Sequence, residues 1–132
     1  MNNFRLKIDM VIKMFFGAHE SISGGVLKAL ERTKKLGGNS LQIFLRSPRS
    51  RNGIKIKDDD IEKSNIFMKE NGIKMVVHSS YLLNFSKEIE DNLWAINIII
   101  DDLKFSERLN AIGCIIHMGK CLNLTLENAI DN

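Results

Sequence analysis

The sequence predicts an α/β fold built on parallel strands, and two observations carry that reading. Four short apolar runs alternate with longer segments of helical period, and short strands joined by crossover helices make a parallel sheet. The joints also repeat. Gly37-Gly38-Asn39, Asn71-Gly72 and Asn110 each fall where a helix ends and the next strand begins, and Gly and Asn tolerate the left-handed conformation that closes a helix.

The elements follow in order. Residues 1–10 (MNNFRLKIDM) precede the first unit; Phe4, Leu6, Ile8 and Met10 alternate with polar residues, a pattern that suits a short extra strand or a frayed extension. The first apolar run is Val11 to Ala18, followed by a helix over Val26 to Leu36. The second run is Leu41 to Leu45, followed by a basic loop and a helix opening near Asp58-Asp59-Asp60, where carboxylates suit the free N–H groups and the dipole of a helix N-terminus. The third run is Ile73 to Val77 and the fourth is Gly113 to Ile116. Between them Ile89, Leu93, Ile96, Ile100 and Leu103 step by four and three residues, the spacing that lines one face of a helix. Trp94 and Ile98 lie off that stripe, so a second side of the helix is a candidate for burial.

From Leu41 to Ile73 is 32 residues and from Ile73 to Gly113 is 40, against about 31 for one unit of an eight-fold barrel of about 250 residues. Four units in 132 residues fit an open doubly wound sheet or half of a (β/α)8 barrel. The pattern alone leaves both open. The chain carries no linker, low-complexity tract or close repeat, and reads as a single domain.

Composition narrows the function classes. With 44% hydrophobic and 27% charged residues and one proline, the chain resembles an ordinary intracellular protein. No apolar run approaches the roughly 18 residues that span a bilayer, and the N-terminus lacks the arrangement of a secretory signal. Cys114 and Cys121 form no CxxC pair, which argues against a disulfide framework and a thiolate zinc site. The net charge of +3 is unevenly spread: residues 1–66 hold 13 Lys/Arg against 7 Asp/Glu, and residues 67–132 hold 6 against 9. Arg46, Arg49, Arg51, Lys55 and Lys57 follow one another without an intervening acid, a segment fit either to meet a phosphate backbone or simply to be solvated.

The three histidines fall at one structural place. His19 follows MFFGA, His78 follows IKMVV and His117 follows GCII, each at the C-terminal end of a predicted strand. That edge of a parallel sheet is where ligands bind and catalytic groups gather. A single histidine there would most often be structural; three of three point to metal binding, for which neutral imidazole is a common ligand. His78-Ser79-Ser80-Tyr81 adds two hydroxyls and a phenol, and Arg46 to Arg51 leaves the second strand at the same rim. A metal beside cationic side chains suits phosphodiester hydrolysis. No Gly-rich phosphate loop of Walker or dinucleotide type is present.

GAHESISGG (Gly17 to Gly25), LQIFLRSPR (Leu41 to Arg49), HSSYLLN (His78 to Asn84) and IIHMG (Ile115 to Gly119) resemble, in order, blocks of the endonuclease IV family. The resemblance implies the N-terminal half of a (β/α)8 TIM barrel of the xylose isomerase-like type, with three zinc ions at its C-terminal rim. It also implies hydrolysis of the phosphodiester 5′ to abasic sites in duplex DNA. Residue by residue, His78 and His117 match two ligands of one shared zinc. Arg49, flanked by Arg46 and Arg51, sits in a loop that enters DNA, and Tyr81-Leu82 matches a second penetrating loop. His19 belongs to the first block without a metal assignment.

Two departures stand out. The family usually shows His-Pro-Gly where this chain has His117-Met118-Gly119, and Ser50-Arg51 follows Arg49 where the family often places an aromatic. The resemblance further implies that the carboxylate completing the first zinc site, and the ligands of the other two, lie beyond residue 132. The expectation is therefore a fragment, a truncated frame or a protein that pairs with a missing C-terminal half. A sugar isomerase or epimerase of the same barrel type is the competing enzyme reading, disfavoured by the basic arm from Arg46 to Lys57. A non-catalytic DNA-binding remnant is the reading from a different class.

Overall fold

The computed structural model describes residues 14–132, so the proposed strand in residues 1–10 and the start of the first apolar run lie outside the described residues. Four strands form one sheet: β1 Gly17–Glu20, β2 Ser40–Phe44, β3 Lys74–His78 and β4 Cys114–Ile115. The helices are α1 Val26–Lys35, α2 Asp58–Asn71, α3 Ile89–Arg108 and α4 Leu126–Asp131. The later strands coincide with the predicted runs to within a residue or two. β1 begins only at Gly17; before it, Phe16 is tied to Asn39 through Phe16 N–H to Oδ1 at 2.8 Å and Asn39 N–H to Phe16 O at 3.1 Å.

The sheet order is β1-β2-β3-β4, every pair parallel. This order separates the two architectures left open by the sequence. A doubly wound sheet reverses its strand order to place helices on both faces. A strictly sequential order with right-handed crossovers keeps every helix on the same face and closes into a barrel when continued. The side-chain alternation agrees. Leu41, Ile43 and Leu45 of the β2 segment and Met75 and Val77 of β3 are buried with Val26, Ala29 and Leu30 of α1 and Ile61 and Met68 of α2. Residues of opposite parity, Gln42 and Phe44 paired with Val76 and His78, point to the other face, the one that lines a barrel interior. The chain thus has the fold of part of a TIM barrel.

The helix closures fall where the sequence put them, with positive φ at Gly37 (82°), Gly72 (63°) and Asn110 (50°). Two details of the helices differ from expectation. Asp60 does not serve its own helix N-terminus alone: its Oδ2 and Oδ1 accept from Val26 N–H at 2.7 Å and Leu27 N–H at 3.1 Å, so α2 caps α1. And α3 turns the opposite way from its aliphatic stripe. Ile89, Leu93, Ile100 and Leu103 are exposed, whereas Asn92, Ala95, Ile98, Asp102 and Ser106 are buried. The polar members of that inner face each find a partner inside: Asn92 Nδ2 donates to Asn84 O at 2.7 Å, Ser106 Oγ donates to Asp102 O at 2.6 Å, and Asp102 is ion-paired.

Candidate functional site

His78 ends β3, in register with Phe44 of β2 on one side and Ile115 of β4 on the other. His117 lies two residues beyond Ile115 and so keeps to the same face of the sheet. The two rings come together with centres 4.9 Å apart. His78 is buried, and its Nδ1 donates to the Ser79 carbonyl at 2.7 Å. A carbonyl can only accept, so the neutral ring keeps its lone pair on Nε2, the tautomer that a metal ligand needs.

Two imidazoles on one tetrahedral zinc, with Zn–N of about 2.0–2.1 Å, place their ring centres about 5 Å apart. The His78–His117 spacing fits that donor pair. No cluster of three or more His, Cys, Asp or Glu able to hold a metal is found among the described residues, whereas catalytic zinc takes about three protein ligands. The described residues therefore fit the two-histidine part of a site.

His19 stands apart from this pair, 6.2 Å from the His78 ring and 4.3 Å from Phe44. Gln42 Nε2 donates to its Nδ1 at 2.8 Å, which leaves the proton of the neutral ring on Nε2. Partial burial pushes the His19 pKa below its ordinary 6.5, the neighbouring His78 pushes it further, and Glu20 opposes both.

The loops after β2 and β3 are joined to the same rim. Tyr81 N–H and Ser80 Oγ–H both donate to Pro48 O, at 3.0 and 2.9 Å. Tyr81 is 52% exposed, yet its ring packs edge-on against His78 and His117 with centres 5.3 Å away in each case. Leu82 is exposed beside it. Arg49 and Arg51 are exposed on the basic loop, and the Arg51 guanidinium lies over the Trp94 ring of α3 at 3.9 Å. Trp94 thus supplies an aromatic partner from a distant helix, where the sequence has none directly after Arg49.

Arg46 departs from the expectation that it faces DNA. Its side chain is 4% exposed and paired with Asp102, whose own side chain is 2% exposed. Nε and Nη2 donate to Asp102 Oδ1 at 3.1 and 2.8 Å, and Nη1 donates to Asn52 O at 3.0 Å. The reason is positional. Arg46 directly follows buried Leu45 and enters beneath the loop before the chain emerges at Ser47.

Asp102 is the residue that sequence reasoning passed over. Its signal was available in the spacing: it stands seven residues after Ala95 and four before Ser106, on the inner face of α3. The loop after His117 is also defined. Asn84 bridges both backbone groups of Lys120, accepting from its N–H at 3.1 Å and donating to its carbonyl at 3.1 Å. Gly119 has φ of 122°, and a Cβ there would lie 1.9 Å from Asn84 Oδ1. The Met118-Gly119 sequence thus makes a turn that only glycine fills at its second position.

No family model matches the chain. In sequence it is 39% identical over 109 residues to a probable endonuclease 4 of Halothermothrix orenii, covering 80% of this chain and 39% of that protein. It is 36% identical over 127 residues to a putative endonuclease 4 of Acanthamoeba polyphaga mimivirus, covering 88% and 39% respectively. In structure it is similar to endonuclease IV from Thermus thermophilus, with a TM-score of 0.78, 28% identity, and coverage of 89% of this chain and 44% of that one. The chain spans about two fifths of the length of the curated relatives it matches.

Proposed function

The chain belongs by sequence to the endonuclease IV family, and from that premise we propose that it supplies the first four βα units of a zinc-dependent DNA-repair endonuclease. The reaction is hydrolysis of the phosphodiester on the 5′ side of an abasic site in duplex DNA. The single observation that carries this reading is the approach of His78 to His117, 4.9 Å between ring centres, at the sheet edge where parallel folds place their chemistry.

His78 and His117 would hold one zinc. Zinc supplies Lewis-acid polarisation of a phosphate and a water acidified toward neutral pH. The remaining ligands of that zinc, and the ligands of the two further ions of the family's three-zinc centre, would come from a further polypeptide segment that continues the barrel. Arg49 and Arg51 supply cations for the DNA backbone, while exposed Tyr81 and Leu82 present an aromatic and an aliphatic side chain to the lesion. Arg46 has no place in that contact, because its guanidinium is committed to Asp102. The work belongs inside the cell, where DNA is; no described helix is long and apolar enough to cross a membrane.

The test compares nicking and retention of an end-labelled duplex carrying one abasic site, with zinc added and with zinc chelated. Zinc-dependent nicking on the 5′ side supports the reading. Because the remaining ligands are assigned to a further segment, retention with little nicking by residues 1–132 alone agrees with the reading. Retention without nicking once the segment that continues the barrel is joined to it reduces the reading to DNA binding, and a failure to retain abasic duplex sinks it.

A further inference from the structure

The candidate ligand and the basic loop are linked through one buried carboxylate. Asp102 Oδ2 accepts from Ser79 Oγ at 2.5 Å, and Oδ1 accepts twice from Arg46. On one side Ser79 passes the contact on to His78, whose Nδ1 donates to the Ser79 carbonyl. On the other, Arg46 reaches Asn52 O and braces the far end of the loop that carries Arg49 and Arg51. A helix residue therefore stands between two elements of the rim, touching neither solvent nor the site itself.

The link has a geometric purpose. Ser79 N–H donates to Ile115 O at 2.9 Å, which fixes the peptide before Ser79. The carbonyl that receives His78 Nδ1–H belongs to the peptide after it. The hydroxyl held by Asp102 restrains the residue between those two planes. Stability alone gives little reason for the arrangement, since replacing a buried ion pair by apolar groups of similar volume is often neutral or stabilising. Orientation of a ligand through its other ring nitrogen, by contrast, is a common determinant of metal affinity.

We propose that Asp102 is a positioning residue, which through Ser79 holds His78 with Nε2 open to the rim and through Arg46 fixes the basic loop to the same point. The purpose of this device rests on the reading of His78 as a zinc ligand; the device itself is tested without metal.

The experiment uses the full chain labelled with ¹⁵N-histidine, free of metal, with His78 assigned by the signals lost in His78→Gln. Long-range ¹H–¹⁵N spectra then report which ring nitrogen of His78 carries the proton. The wild type is expected to carry it on Nδ1. Ser79→Ala keeps the Arg46–Asp102 pair, and is expected to fold while moving His78 toward the Nε2-protonated form. Zinc affinity, read by competition with a chelating dye, should fall by about 10–100-fold. Asp102→Asn would strand the buried Arg46 charge and risks unfolding, so the second variant is the double substitution Arg46→Met with Asp102→Leu, expected to shift the tautomer in the same way. A wild type protonated on Nε2, or an unchanged His78 tautomer in both variants, overturns the proposal whatever the affinity does. A tautomer shift in the variants, together with a wild type that binds no zinc, upholds the positioning role and sinks the zinc assignment.

Discussion

The imidazoles of His78 and His117 meet across neighbouring strand ends, ring centre to ring centre at 4.9 Å, with Tyr81 packed edge-on against both. His78 arrives as the last residue of β3 and His117 two residues after β4. Their pairing is a product of strand register.

Zinc binding follows from that pair. His78→Ala and His117→Ala should each lower the affinity for zinc by about tenfold or more, since even losing a supporting contact costs about 10–100-fold, and the double substitution should add little to either. His19→Ala should leave the affinity near that of the wild type, because its Nδ1 is already engaged by Gln42. Chelator competition reads all four. Equal affinity in wild type and double variant would dissolve the shared-ion assignment.

Arg46 and its two loop neighbours should separate cleanly in function. Arg46→Ala leaves the Asp102 carboxylate buried without its cation, a defect that costs about 3–5 kcal/mol. Denaturant unfolding should show that loss. A variant as stable as the wild type would mean that the guanidinium is solvated after all.

Arg49→Ala and Arg51→Ala, in contrast, should leave folding nearly unchanged and act on DNA binding. Each lost phosphate contact lowers the slope of log affinity against log salt by about 0.9. Arg51 also lies over Trp94, so its replacement should alter the tryptophan emission, while Arg49→Ala should not. Unchanged salt slopes in both variants would make the loop a merely solvated one.

These cases show what local sequence can and cannot reveal. The strands and their stops are legible because an apolar run and a Gly or Asn closure are short-range signals, as at Ile73 and Gly72. The three strand-end histidines are legible for the same reason. Arg46 is not, because a buried arginine and a solvated one look alike until the partner is known, and Asp102 lies on a helix several elements away. The orientation of α3 fails similarly. Hydropathy favours the stripe of Ile and Leu, but the face with Asn92, Asp102 and Ser106 wins since each of those side chains is hydrogen-bonded inside the fold.

The pH response of His19 has a definite sign. Its pKa lies below the ordinary 6.5, chiefly through partial burial and then through His78, with Glu20 opposing. Between the folded and unfolded values the unfolded chain binds more protons, so stability rises with pH across that window. The contribution is present above pH 6.5 and is lost as pH falls through the folded pKa. An NMR titration should place the midpoint below 6.5, and His78→Gln should raise it only in part, because burial is the larger cause. A full return to 6.5 would make the His78 charge the dominant influence instead.

The orientation of α3 can be tested by substitution, and the two possible faces predict opposite results. Leu93 and Leu103 belong to the aliphatic stripe but are 57% and 49% exposed, whereas Ile98 is 6% exposed and packs with Leu83 and Ala95. If the stripe faced the sheet, Leu103→Lys would bury a charge and unfold the chain. With the helix as it stands, Leu93→Lys and Leu103→Lys should each change stability by no more than about 0.5 kcal/mol, the usual range for surface positions. Ile98→Ala should cost about 2–5 kcal/mol, as removal of a buried aliphatic side chain leaves a cavity that its neighbours fill only partly. Chemical denaturation of the three variants decides the matter. A large loss at Leu103 with a small one at Ile98 would reverse the helix and, with it, remove Asp102 from the interior on which its link to Ser79 and Arg46 depends.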